Sequence, residues 1–304
     1  MRSMSQQKIL VSGITPSGRI HLGNYLGAMR QFVDLQNRYD TNIFVANYHA
    51  LTTVHDKKQL EEQTINIVLD YLAVGIDPEK VTLYTQTSVP QLFELTWIFH
   101  NLVTVPWLER AHAFKDKQDK GIESSVGLFT YPLLMAADIL LPQAAVVPVG
   151  KDQQQHIEMA REIARKFNHT FGETFIEPKA LIEETVATVP GIDGQKMSKS
   201  YGNTIPLFGT DAEIKKAVMS IITDSKEPSE SKNPEDVVIF QIYKLIASKE
   251  NTQKMKEGLE RGGLGYGDAK KMLLEEILLL INPMRERREY FANNPKEVHL
   301  VGYW

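Results

Sequence analysis

Two hydrophobic periods divide this chain. In the first half, short apolar runs recur, each closed by glycine or a polar turn, and longer stretches between them bring an apolar residue back every three or four positions. The runs predict buried strands and the stretches predict amphipathic helices. Lys8–Gly13 predicts the first strand. Pro16, Ser17 and Gly18 make a turn, and Leu22, Tyr25, Leu26, Met29, Phe32, Val33 and Leu35 predict a helix after it. Asn42–Leu51 predicts a second strand running into a loop. Lys57–Val74 predicts a helix ended by Gly75, Val81–Gln86 a third strand and Gln91–Leu102 a further helix. Gly127–Leu141 is strongly apolar, with Pro132 suited to a helix's first turn. Ala144–Gly150 predicts another strand, followed by a helix from Asp152 to Phe167. This alternation implies an α/β doubly wound parallel Rossmann-like sheet with covering helices. Beyond Asn203–Leu207 the pattern is helical: Asp211–Ile222 behind a Thr210-Asp211 cap, Val237–Ala247, Asn251–Leu259, and Ala269–Ile281 with Asp268 as N-cap. Ser225–Pro234 is a polar loop between them. The expectation is a Rossmann-like domain over 1–205 and a second, smaller all-helical domain over 206–304.

Composition narrows the function. Apolar residues make up 42% and charged residues 24% of the chain, an ordinary globular balance. Net charge is −4, so any nucleic-acid contact must come from a local patch. There are no cysteines, which removes disulfides, thiolate metal sites and cysteine nucleophiles. No apolar run reaches membrane-spanning length, and the N-terminal residues lack an apolar signal core, so a cytoplasmic protein with no membrane partner is expected.

The candidate chemistry collects at strand ends. The first strand, turn and helix form the arrangement that presents backbone N–H groups to a phosphate, with Gly23 allowing close approach and His21 and Asn24 near the helix start. Neither a G-x-G-x-x-G nor a Walker A spacing is present. Taken alone, a strand, turn and helix with one histidine is more often structural, the imidazole of His21 being then a satisfied core or surface group. His49, past the second strand, is a pocket candidate, and Gly150 and Asp152 sit at the end of another strand. Tyr131, Met135 and Asp138 share one helix face. Asp138 in so apolar a run is either a core carboxylate bonded to backbone or an acceptor at the base of a pocket. The pentapeptide Lys196-Met197-Ser198-Lys199-Ser200 follows the Gly- and Pro-rich Pro190–Gly194. Two ammonium groups on such a loop suit a polyphosphate that is gripped and released. Arg285, Arg287 and Arg288 read either as phosphate contacts or as a solvated basic helix end.

Together these stretches resemble the tryptophanyl-tRNA synthetases of the bacterial type, a class I aminoacyl-tRNA synthetase family. The resemblance rests on Gly13–Gly18 with His21-Leu22-Gly23-Asn24, Tyr48–Thr52, Tyr131–Leu141, Val147–Gly150 with Asp152-Gln153, and Lys196–Ser200, and runs from about Ile9 to Asn294. It implies a ligase that activates L-tryptophan with ATP and Mg²⁺, releases pyrophosphate and passes the amino acid to tRNA rather than acting on DNA. It implies ATP contacts from Thr15, Pro16, Ser17, His21, Gly23, Asn24, Gly150, Asp152, Val189 and the Lys196–Ser200 loop, that is Lys196, Met197, Ser198, Lys199 and Ser200. Lys196, Lys199 and Lys117 would stabilise the departing pyrophosphate. Asp138 would accept the indole N–H in a pocket made with Met135, Tyr131, His49, Val147, Val149 and Gln153. A homodimer is implied, and no dedicated metal site. Thr15, Lys151 and Val11 depart from the residues usual in the family. The sister tyrosyl enzymes and a non-catalytic RNA-binding paralogue are the competing readings, and the short aromatic end His299–Trp304 bears on the second.

Overall fold

The computed structural model describes residues 7–110, 125–150, 153–182 and 189–298. Lys117 and Asp152, expected at the site, and the end His299–Trp304 lie outside the described residues. Strand β1 (Ile9–Ile14) is central in a five-stranded sheet with β2 (Asp40–Val45), β3 (Val81–Thr85), β4 (Val146–Pro148) and β5 (Lys179–Leu181). The order is β3-β2-β1-β4-β5, and every pairing is parallel. The chain reverses its winding between β1 and β4, the place where open α/β sheets bind ligands.

Two apolar cores form on the two faces of the sheet. One joins Val11, Phe44 and Tyr84 to helices α4 (Gln91–His100), α5 (Val105–Leu108), α6 (Val126–Leu140) and α7 (Gln154–Phe171). The other joins Ile43 and Val45 to α1, a continuous helix over 22–35, and α3 (Lys57–Val74). This second core continues without a break into Ile214, Ile239, Leu273 and Ile281 of the helical half. There, α8 (Asp211–Met219) and α9 (Val238–Ile246) pack against α11 (Tyr266–Asn293), which lies along α3, and α10 (Lys249–Arg261) packs on α9.

Local signals explain the well-placed elements. Asp56 accepts the Gln59 N–H at 2.8 Å to start α3, and Gly75 ends it at φ 109°. Thr210 and Glu213 form a reciprocal capping box at the start of α8. Several expectations need correction. The second strand ends in a short helix, α2 (Asn47–Ala50), not in a loop. Helix α6 begins at Val126 behind a Ser125 cap, so Pro132 sits inside it. Helix α11 is capped at Gly265 rather than Asp268 and runs through Pro283. The three arginines near its end are held internally: Arg285 bonds Asp211 and the Gly209 carbonyl, Arg287 the Ala73 carbonyl, and Arg288 Asp70 and Asn66.

Candidate active site

A cavity of about 620 Å³ opens at the C-terminal ends of β1 and β4. Thr15, Ser17, His49, Tyr131, Met135, Asp138, Val147, Val149, Gly150 and Gln153 all line it, so the turn before α1, α2, α6 and β4 converge on it. Pro16, His21, Gly23, Asn24, Val189 and the 196–200 loop are not among its lining residues, and the loop meets the lining where Lys199 Nζ reaches the Ser17 carbonyl.

The cavity ends on a buried polar cluster. Asp138 is 2% exposed, yet its carboxylate is not idle. Gln86 Nε2 donates to both of its oxygens, at 2.9 and 2.8 Å, and His49 Nε2 lies 3.0 Å from Oδ2. A carboxylate only accepts, which puts the proton of His49 on Nε2. Gln86 cannot turn over, because its Oε1 accepts from the N–H groups of Tyr48 (3.0 Å) and His49 (3.3 Å) at the start of α2. The amide therefore turns its NH2 side to Asp138, shares an N–H between the two oxygens and fixes the carboxylate as an acceptor. Two oxygens offer about four lone-pair positions, so capacity remains for a donor from a ligand. Gln86 is fully buried, and the sequence reading missed it. Tyr131 packs edge-on against His49, and its hydroxyl is hydrogen-bonded to His156 Nε2 at 2.6 Å. Burial raises the Tyr131 pKa, so its hydroxyl stays protonated.

At the other end two loops meet. Residues 189–197 fold back on themselves: the Met197 N–H bonds the Val189 carbonyl at 2.9 Å and Gly191 the Gln195 carbonyl at 2.7 Å. Asn203 staples this turn, accepting from the Ser198 N–H at 2.8 Å and donating to Asp193 (2.8 Å) and the Lys196 carbonyl (3.1 Å). A Cβ on Gly191 would come within 2.4 Å of the Asn203 side chain, which is why glycine stands there. The Gly- and Pro-rich segment is thus internally fixed. Its Met197 Sδ takes the Gly23 N–H at 3.2 Å, and Lys199 Nζ donates to the carbonyls of Ser17 (3.3 Å) and Gly18 (3.0 Å). Below them, Leu22 N–H bonds the Ile205 carbonyl at 2.8 Å, and Leu207 N–H the Ile20 carbonyl at 3.1 Å. The first turn and the lysine loop, far apart in sequence, are stitched into one mouth.

Electrostatics follow from this contact. Burial lowers the Lys199 pKa, partly offset by Asp70. Burial, with the Lys199 charge second, lowers that of His21 to about 4, so its imidazole is neutral. His21 Nδ1 has no partner, and Asn24 Oδ1 accepts the His21 N–H at 3.1 Å to open α1. Among the described residues, no cluster of three or more His, Asp or Glu side chains could hold a metal.

Known proteins resemble this chain in sequence and fold. The chain matches the family described as tRNA synthetases class I (W and Y) over residues 4–281. It is 53% identical over 285 residues to the tryptophan–tRNA ligase of Fusobacterium nucleatum, covering 93% of this chain and 87% of that one. It is 48% identical over 280 residues to the tryptophan–tRNA ligase of Rhodopirellula baltica, covering 92% and 88%. The crystal structure of Campylobacter jejuni tryptophanyl-tRNA synthetase complexed with ADP and tryptophan superposes with a TM-score of 0.89 at 42% identity, covering 95% of this chain and 91% of that one. A match over most of the chain and identities of this size place it in the class I tRNA synthetases of the W and Y group.

Proposed function

We propose that the protein is a tryptophan–tRNA ligase. The observation that carries this reading is one continuous cavity from the buried Asp138–Gln86–His49 cluster to the strand ends beside the lysine loop. An amino acid with a ring N–H is held at the first end and a nucleotide at the second. The substrate carboxylate attacks the α-phosphorus of ATP, the bond to the β-phosphate oxygen breaks, and pyrophosphate leaves with the adenylate formed. A ribose hydroxyl of the tRNA terminus then takes the acyl group, and AMP leaves. No protein nucleophile is needed, so catalysis is positioning and charge stabilisation. Mg²⁺ enters with ATP and offsets phosphate charge.

Asp138 accepts the indole N–H, and Tyr131, Met135, Val147, Val149, His49 and Gln153 form the walls. Thr15, Pro16, Ser17, Gly150 and Asp152 hold the nucleotide with His21, Gly23 and Asn24, and Val189, Met197, Ser198 and Ser200 cover it. Lys199, now on the Ser17 and Gly18 carbonyls, exchanges those contacts for phosphate oxygens, joined by Lys196 and Lys117. These contacts favour the leaving pyrophosphate over bound ATP, which is what raises turnover.

Residues 1–205 act as the catalytic domain and 206–304 as the tRNA-recognition domain. The enzyme is a cytoplasmic homodimer. Support for the dimer comes from three exposed apolar side chains on the packed helices α4 and α6, Phe93 (49%), Trp97 (70%) and Val126 (77%). Charging of tRNA with labelled tryptophan tests the reading. Acid-stable label on tRNA(Trp) alone is expected; label on no tRNA, or transfer of tyrosine instead, overturns it.

A further inference from the structure

One buried group in the cavity is left without a partner. Gln31 is 8% exposed, lines the cavity, and has a side-chain Nε2 with no hydrogen-bond partner. Of the unpartnered buried side-chain atoms among the described residues, it alone belongs to a residue lining this cavity. A stranded buried donor is costly, and one facing a ligand cavity becomes satisfied when a ligand arrives.

The helix that carries it is built unusually. The turn Tyr25–Met29 of α1 is a π-turn, a form concentrated at functional sites. Gly27, Ala28 and Gln31 all line the same cavity. At Gly27 an added Cβ would meet nothing within 4 Å, so glycine there is not demanded by packing against protein. The space is open beside the unpartnered amide.

This lobe is distinct from the Asp138 end. Val11 and Phe44 pack in the core with α6, whereas Phe32, next to Gln31, packs in the core on the other face of the sheet. Ser12, between Val11 and Gly13 on β1, lines the cavity beside these residues. The ligand part reaching this lobe is therefore not the ring held at Asp138. An amide N–H seeks an oxygen, and the oxygen-rich part of the proposed substrates is where the amino-acid carboxylate meets the α-phosphate.

We propose that Gln31 is a substrate-binding residue whose Nε2 donates to an oxygen at this carboxylate–phosphate junction, with Gly27 kept small to admit it. The inference rests on the proposed adenylation, and the unaltered enzyme measured alongside keeps the two apart: no tryptophan-dependent exchange by the unaltered chain sinks that function, whereas normal exchange by the variants sinks only the role of Gln31.

The test is steady-state ATP–pyrophosphate exchange with Gln31→Leu, Gln31→Glu and Gly27→Ala, with melting curves for each. Leu keeps the bulk but removes the donor, and the expected result is a drop of roughly ten-fold or more in kcat/KM at an unchanged or raised melting temperature. Glu places a negative charge against the junction and lowers the rate further. Gly27→Ala raises the melting temperature, because alanine favours helix, and still weakens the substrate. A rise confined to the KM of tryptophan assigns the contact to the carboxylate, and one confined to the KM of ATP assigns it to the phosphate; either supports the proposal. Unchanged kinetics in Gln31→Leu, or a loss in every variant that only follows a falling melting temperature, overturns it.

Discussion

Replacing Asp138 with alanine tests the amino-acid end of the cavity. The carboxylate accepts from Gln86 at 2.8 and 2.9 Å and from His49 at 3.0 Å, and it is 2% exposed. His49 can respond by moving its proton to Nδ1. Gln86 cannot respond, because Tyr48 and His49 N–H groups hold its Oε1. Asp138→Ala therefore strands one buried amide donor, which costs about 1–3 kcal/mol of stability. The ligand loses a hydrogen bond to a charged acceptor, worth about 1.5–3 kcal/mol, or roughly 10- to 150-fold in kcat/KM. The discriminating assay is pyrophosphate exchange with tryptophan and with its isostere carrying sulfur in place of the indole N–H. The unaltered enzyme should reject the isostere strongly, because the site is built for a donor. Asp138→Ala should lose tryptophan activity while gaining little or nothing against the isostere, so the ratio collapses. An unchanged ratio in the variant would refute the assignment of Asp138 to the ring N–H.

Three further predictions concern the mouth and the seam. Lys199→Ala should lower kcat in exchange more than it raises the KM of ATP; because burial lowers the Lys199 pKa, activity should fall on the alkaline side before the ordinary lysine value of 10.5, and Lys199→Arg should move that limb upward in a pH–rate profile. His21 binds its proton at about 4 when folded and near 6.5 when unfolded, so its contribution is full above pH 6.5 and declines as pH falls towards 4, by at most about 3 kcal/mol. Asp70 slopes the other way, since burial outweighs Arg288 and raises it from 3.8 to about 6, giving stability below 3.8 that is lost as pH rises through 6. Melting of His21→Gln against the unaltered protein from pH 7.5 to 4.5 should uncover the Asp70 slope; parallel curves would contradict the burial of a neutral His21. Arg288→Ala should destabilise by about 3 kcal/mol, because it leaves Asp70 buried and unpaired, and adding Asp70→Leu should recover much of the loss in urea unfolding. No recovery in the double variant would count against the pair as the cause.

Much of the sheet and its helices was readable from the chain, for local reasons. Helix α3 carries its own punctuation in Asp56 and Gly75, and the buried strands β1 and β3 are bounded by glycine or polar turns. The elements that escaped have no such marks. Strand β5 is three residues at a sheet edge, with Lys179 exposed. The extra turns at the start of α6 depend on Ser125, which caps ahead of an apolar run with no clear period. At the site, Tyr131, Met135 and Asp138 were legible because helical spacing puts them on one face. Gln86 was not, since a single amide at a strand end has no spacing partner and Asp138 lies 52 positions away. The arginines of α11 looked like a basic patch because their partners lie far off in the chain, the Ala73 carbonyl of Arg287 and the Asp70 of Arg288 more than 200 positions earlier. One signal did exist: Asp70 is a carboxylate inside the apolar run Ile67–Leu72, and such a group requires a partner. Asn203 was read only as a boundary, although its three side-chain bonds give the lysine loop its shape.

Under the proposed function, this cavity activates tryptophan with ATP. ATP–pyrophosphate exchange by the purified protein, supplied with each of the twenty amino acids in turn, tests it most directly. Exchange dependent on tryptophan and at background with the other nineteen, tyrosine included, is the predicted result; exchange driven by tyrosine, or none with any amino acid, would contradict it.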